Sequence, residues 1–239
     1  MTIVITGASQ GIGYAIAENY AREIRGAKIA MCARNPEEIA QAGTRLREVA
    51  PDTTVLTSVC DVANERSVEG FGKRVHAEFG PVDILVMNAG YGVFKPIDRI
   101  LESEFDGVIA TNLRGAFLTA KAFLPMMLER KSGTIVAIAS LAGKNGFVGG
   151  GAYCASKFGL RGLMQSLFLD VRDKNIRVIT LFPGSVDTGF FKRNDGDAIR
   201  SRQALSPNDV AECVFHATML PVGATVSELD LRPTNPLGT

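Results

Sequence analysis

The chain has 239 residues, a formal charge of +1 from 26 Lys and Arg against 25 Asp and Glu, only two His, and no Trp. That balance offers no basic excess for nucleic acid or an anionic membrane, and an apolar fraction of 46% belongs to a globular chain, not a disordered one. No run of about 18 apolar residues exists to span a bilayer. Met1–Thr6 (MTIVIT) leads into a strand-like run without the basic region of a secretory leader, so a cytoplasmic protein is expected. Cys32, Cys60, Cys154 and Cys213 form no CxxC pair, and with His76 and His216 alone no metal site is expected; free thiols in a reducing compartment are the plain reading.

Short apolar runs alternate with helix-length stretches. Strands are expected at Thr2–Thr6, Ala27–Cys32, Thr54–Val59, Val82–Met87, Thr134–Ala139, Arg177–Phe182 and Thr225–Leu229. Most are nearly continuous in apolar residues, as suits strands covered on both faces. Helices are expected at roughly 12–24, 36–49, 65–79, 102–130, 152–173 and 207–219. Asn35-Pro36 and Ser206-Pro207 open two of them, and Pro125 should kink the fourth without ending it. Alternating strands and helices imply right-handed βαβ units and a parallel sheet with helices on both sides. The expected architecture is one α/β domain of doubly wound Rossmann type over 1–239. Residues 184–205 mix Phe190, Phe191, Gly189, Gly196 and several charges. A solvated surface loop is the plain reading of that stretch, and a lid over a substrate pocket is the sharper one.

Gly7-Ala8-Ser9-Gln10-Gly11-Ile12-Gly13 joins the first strand to the first helix. Gly7 permits a tight turn, Gly11 lets the backbone approach a pyrophosphate, and Gly13 allows the helix to pack closely on the strand; the phosphates then lie at the positive end of the helix dipole. The second strand ends at Ala33-Arg34, where a carboxylate would bind the adenosine ribose of NAD. A guanidinium there pairs with a 2′-phosphate, so NADP(H) is expected as the preferred cofactor, with NAD(H) as the alternative.

Tyr153 and Lys157 lie four apart on one helix face. A tyrosine is a poor base at neutral pH, and an ammonium one turn away lowers its pKa, which makes a tunable acid/base. Ser140 ends the fifth strand, at the carboxyl edge that faces the ligand crevice, where its hydroxyl can hold a substrate carbonyl. Asn88-Ala89-Gly90 follows the fourth strand at the same edge. Asn112 falls inside the long fourth helix, which suggests a local irregularity holding a water.

Taken in order, the glycine turn, Asp61, Asn88-Ala89-Gly90, Asn112, Ser140, Tyr153 with Lys157, Pro183-Gly184 and Thr188 resemble the classical short-chain dehydrogenases/reductases over almost the whole chain. The G-x3-G-x-G spacing is that family's, whereas Met87 stands where the family variant has a first Asn. The resemblance implies a seven-stranded parallel sheet of order 3-2-1-4-5-6-7. It implies that Tyr153 is the general acid, that Ser140 orients the carbonyl and that Lys157 lowers the tyrosine pKa and binds the nicotinamide ribose. Asn112 would anchor a proton-relay water. Ser9, Gln10, Ile12, Asp61 and Val62 would border the adenosine and phosphates, and Pro183, Gly184, Val186 and Thr188 the nicotinamide.

The implied partner is a small carbonyl or alcohol. Tyr91, Val93, Phe94, Phe147 and Phe190-Phe191 are candidate pocket walls. Tyr153-Cys154-Ala155-Ser156-Lys157 and its neighbours, with the Leu231-Arg232-Pro233-Thr234 tail, also look like sepiapterin-reductase-like members, which adds a pterin-type dicarbonyl to the candidates; an acyl-carrier thioester is another. A homodimer or homotetramer is implied, through the long fourth helix and the catalytic helix. The rival readings are an NAD-dependent alcohol dehydrogenase and a non-catalytic NADP sensor on the same fold.

Overall fold

A computed structural model describes residues 1–189 and 204–235. In chain order they form β1 (Thr2–Thr6), α1 (Gly11–Glu23), β2 (Lys28–Ala33), α2 (Pro36–Val49), β3 (Thr54–Val59), α3 (Glu65–Phe79), β4 (Ile84–Met87) and α4 (Glu102–Ile109). A π-helical segment (Ala110–Arg114) leads into α5 (Gly115–Arg130), followed by β5 (Gly133–Ile138), α6 (Gly151–Val171), β6 (Ile176–Pro183), α7 (Pro207–Thr218) and β7 (Glu228–Leu231). The strands make one parallel sheet of order β3-β2-β1-β4-β5-β6-β7.

All five residues of β1 are buried because helices cover both sides. Successive side chains point to opposite faces. Ile3 and Ile5 pack with α1, α2 and α7, whereas Val4 packs with α3, α5 and α6. Helix starts follow local chemistry. Asn35 accepts from the N–H groups of Glu37 (2.9 Å) and Glu38 (3.1 Å) with Pro36 at the first helical position, and Ser206 and Asp209 cap one another reciprocally.

The expected helix 102–130 runs through Pro125, but it is split by one wide π turn around Asn112. The expected last strand shifts from 225–229 to Glu228–Leu231, because pairing of Thr180–Pro183 with Glu228–Leu231 sets it. The strand order reverses between β1 and β4, which opens a crevice at their carboxyl ends. Most of the expected lid, including Phe190 and Phe191, lies outside the described residues. Among the described residues, no helix is long and apolar enough to cross a membrane.

Candidate active site

The turn after β1 is built around missing side chains. Gly7 has φ +65°, and a Cβ on it would lie 2.7 Å from Ala89 Cα; a Cβ on Gly13 would lie 2.5 Å from both Asn88 Nδ2 and the Gly7 carbonyl oxygen. The turn is tied to the loop after β4 by two residues. Asn88 Nδ2 donates to the carbonyls of Thr6 (3.0 Å) and Gly7 (2.9 Å), and the Thr6 hydroxyl accepts from the N–H groups of Asn88 and Ala89.

A cleft of about 870 Å³ runs along this edge. Gly7, Ser9, Gln10, Gly11 and Ile12 form one side, Ala33 and Arg34 one end, and Asn88-Ala89-Gly90 the floor. Ser140, Tyr153, Lys157, Pro183, Gly184, Val186 and Thr188 line the other end. Gly13 lies beneath the turn as a packing residue. Val62 lines the cleft, but Asp61 does not: its carboxylate accepts from the Ala63 N–H at 3.0 Å and so caps the next turn. Residues not anticipated from sequence also face in, namely Cys60, Glu38, Thr111 and Asn145. The first could have been found by the same rule as Ser140, since it directly follows a strand. Glu38 sits on the first turn of α2, and its carboxylate accepts from the Ser9 hydroxyl at 3.2 Å.

The reacting end is held by buried polar groups. Lys157, 4% exposed, donates from Nζ to the Ile138 carbonyl at 2.9 Å. Burial lowers its pKa to about 8. Tyr153 lies beside it, with Lys157 Nζ 5.7 Å from the ring centroid. Burial raises the tyrosine hydroxyl to about 12, and the Ser140 hydroxyl, hydrogen-bonded to it, pulls the other way. Burial outweighs the Ser140 hydrogen bond at this hydroxyl, while the Lys157 ammonium is engaged by the Ile138 carbonyl. Phe94 meets Tyr153 edge to face at 5.6 Å and also packs on Phe147, while Tyr91 and Val93 complete that wall.

Asn112 stands one shell behind the cleft. Its Oδ1 accepts from the Tyr91 N–H at 2.9 Å, and its Nδ2 donates to the Tyr91 carbonyl (2.8 Å) and the Ser156 hydroxyl (3.0 Å). The π turn explains how a helical residue reaches sideways to a loop, since an extra residue re-aims the side chains of that turn. Gly90 leaves open the space between Asn112 and Lys157: a Cβ there would lie 3.1 Å from Asn112 Oδ1 and 3.6 Å from Lys157 Nζ.

A cluster of charges fixes α6 from outside. Arg161 makes a two-pronged pair with Glu228 on β7 (2.8 and 3.0 Å), and Lys144, four residues after Ser140, reaches Glu228 and Asp230. These bonds anchor both the Ser140 segment and α6 to the last strand.

A family model of short chain dehydrogenases matches residues 1–198. The chain belongs to that family. Within it, the protein is 32% identical to the sepiapterin reductase of Chlorobaculum tepidum over 98% of this chain and 96% of that one. A glycine betaine reductase of Emericella nidulans is 35% identical over 96% of this chain, which spans only 18% of that longer protein. Among solved structures, an alcohol dehydrogenase from Thermococcus sibiricus complexed with 5-hydroxy-NADP superimposes with a TM-score of 0.89 at 35% identity, covering 98% of this chain and 96% of that one. The protein is thus a short-chain dehydrogenase-type oxidoreductase whose sheet has the order expected from sequence.

Proposed function

We propose that this protein interconverts a small or medium carbonyl compound and its alcohol using NADP(H), with Tyr153 as the general acid/base. One observation carries the reading: Tyr153, Ser140 and Lys157 converge in the same cleft that holds the glycine turn and Arg34. The cradle fits a dinucleotide, because the positions where a Cβ would obstruct the turn are glycines. When bound, the nicotinamide supplies or accepts the hydride.

The chain's own residues do the rest. Ser140 holds the carbonyl oxygen, and Tyr153 donates its proton to that oxygen as negative charge develops there. A phenol held at about 12 keeps its proton at neutral pH, which suits the acid role in reduction. Lys157 binds the nicotinamide ribose and stabilises the phenolate left behind. A water held by Asn112 behind Lys157 would replace the proton on Tyr153. Arg34 pairs with the 2′-phosphate. Asp61, between the cleft-lining Cys60 and Val62, would meet the adenine through the carboxylate oxygen that the Ala63 N–H leaves open.

The aromatic wall of Tyr91, Phe94 and Phe147 suits an apolar or flat carbonyl substrate, and the likeness to a sepiapterin reductase makes a pterin-type dicarbonyl the first compound to screen. The whole chain works as one cofactor-binding domain in the cytoplasm. Phe117 on α5 and Phe158 on α6 are both about half exposed, at 47% and 46%, and a homodimer or homotetramer would cover them.

A second reading, NAD dependence, is favoured by Glu38: a carboxylate hydrogen-bonded to Ser9 stands in the same corner as Arg34. Fluorescence titration with NADPH and NADH separates the two. NADPH should bind at least about tenfold tighter, and Arg34→Asp should remove that preference. Equal or NADH-favoured binding by the parent protein would overturn the NADP reading.

A further inference from the structure

The proposed reaction leaves two thiols unused at the adenosine end of the cleft. Cys32 is on β2, where the parallel register places it against Ser58; Cys60 follows two residues later, its N–H donating to the Ala33 carbonyl at 2.9 Å. Both side chains point to the face of the sheet that carries α3 and α5. They share a hydrogen bond with each other. Cys32 is sealed at 0% exposure, whereas Cys60, at 2%, lines the cleft. Any reagent that reaches the pair therefore comes through the cofactor's own space.

The two sulfurs differ in character. Cys60 accepts hydrogen bonds from Cys32 and from the Ser67 hydroxyl, which hold its thiol below the ordinary range. Cys32, as the donor and fully buried, is raised. One sulfur is thus the accessible nucleophile and the other stands behind it, within hydrogen-bond reach, as a resolving thiol.

We infer that Cys32 and Cys60 form a reversible dithiol–disulfide switch in the wall of the cofactor cleft. The oxidant is a hydroperoxide. The Cys60 thiolate attacks its terminal oxygen, an S–O bond forms as the O–O bond breaks, and the departing alkoxide takes a proton to become an alcohol. The Cys32 sulfur then attacks the Cys60 sulfur; the S–S bond forms, the S–O bond breaks, and hydroxide leaves with the Cys32 proton as water. In sum, two thiols lose two electrons and two protons, and one hydroperoxide becomes one alcohol and one water. A dithiol reductant reverses the change by two exchanges. Closing the sulfurs from hydrogen-bond distance to about 2.05 Å draws the end of β3 towards β2 and moves the wall formed by Cys60 and Val62. Bound cofactor blocks the oxidant, and the disulfide weakens cofactor binding. That last consequence rests on the proposed NADP(H) reading; formation of the disulfide does not.

The experiment treats the full chain with tert-butyl hydroperoxide, with and without saturating NADPH, then maps tryptic peptides without reduction. The expected product joins Ile29–Arg34 to Glu48–Arg66. It should form without NADPH, be suppressed severalfold by NADPH and disappear with dithiothreitol. The oxidised protein should bind NADPH severalfold more weakly. Cys32→Ser should stop at a Cys60 sulfenic acid trapped by dimedone, which keeps the assignment testable should Cys60→Ser fold poorly. Absence of the linked peptide, over-oxidation of Cys60 in the parent protein, or a link that leaves NADPH affinity unchanged would each overturn the switch. A reduced protein that binds neither NADPH nor NADH would instead overturn the cofactor reading, and the linked peptide alone would then decide the thiol pair.

Discussion

The two ends of the cleft are built by opposite means. At the glycine turn, the shape comes from side chains that are absent: Gly7 and Gly13 have no room for a Cβ, and the walls they face are largely main chain. At the reacting end, the shape comes from polar side chains that are present and buried, with Lys157, Asn112 and Ser156 held against main-chain groups at 2.7–2.9 Å. The first end recognises by close approach and needs no titrating group. The second depends on desolvation, which moves Tyr153 and Lys157 in opposite directions, to about 12 and about 8. Substitutions at one end should therefore change affinity and packing, and at the other turnover and its pH dependence.

Tyr153→Phe should separate the two ends most sharply. Turnover should fall by roughly 10²–10⁴, the range of a lost general acid, while NADPH still binds in a fluorescence titration. A variant that retained most of its turnover would remove Tyr153 from the chemistry. Asn112→Ala comes next. It strands the N–H and carbonyl of Tyr91, costing about 1–3 kcal/mol for each group left unpaired, and loosens the substrate wall, so kcat should fall up to about 10²-fold. Steady-state kinetics showing an effect on cofactor KM alone would count against this positioning role.

Gly13→Ala tests the other end. Its Cβ would press on the Gly7 carbonyl and on Asn88, whose amide is pinned by two hydrogen bonds. About 1–3 kcal/mol of stability should be lost, visible as a lower Tm, together with weaker NADPH binding and near-normal kcat at saturation. An unchanged Tm and affinity would mean that the turn has slack.

The smallest effect is in pH. Lys157 is lowered to about 8, so its ammonium is present below that value and lost above it. With Tyr153 still protonated up to about 12, kcat/KM for reduction should decline as pH rises through about 8. The sign for stability is the reverse. The folded protein gives up this proton before the unfolded chain does, so between about 8 and the free lysine value of about 10.4 stability gains with pH. A flat kcat/KM profile to pH 10 would show that the ammonium is dispensable.

Where local chemistry decides an element, the sequence was enough. Asn35-Pro36 and Ser206-Pro207 place the starts of α2 and α7 because each cap is satisfied within three residues. The glycine turn and the Tyr153–Lys157 pair were legible for the same reason. β7 was not, since the β-branched run at 225–229 is the better strand former locally, and only the distant partner β6 and the ion pairs to Lys144 and Arg161 select 228–231. At Asn112, the polar residue signalled an irregularity, but its partner Tyr91 could not be named without the fold. Asp61 shows a related limit: nothing in a sequence tells whether a carboxylate after a strand faces a ligand or caps the next turn.

The Asn88 cross-tie has a consequence for how the protein is made. The glycine turn looks self-contained in sequence, yet the side chain that bonds its carbonyls lies 82 positions beyond Thr6. During synthesis from the N-terminus, the turn and first helix emerge well before β4 and its Asn88, and the strand beside them at the centre of the sheet waits for the same segment. Under the proposed function, cofactor-binding competence is therefore a late, non-local event in folding, and a nascent chain that stalls before residue 88 carries an intact glycine motif that lacks the side chain bonded to its carbonyls.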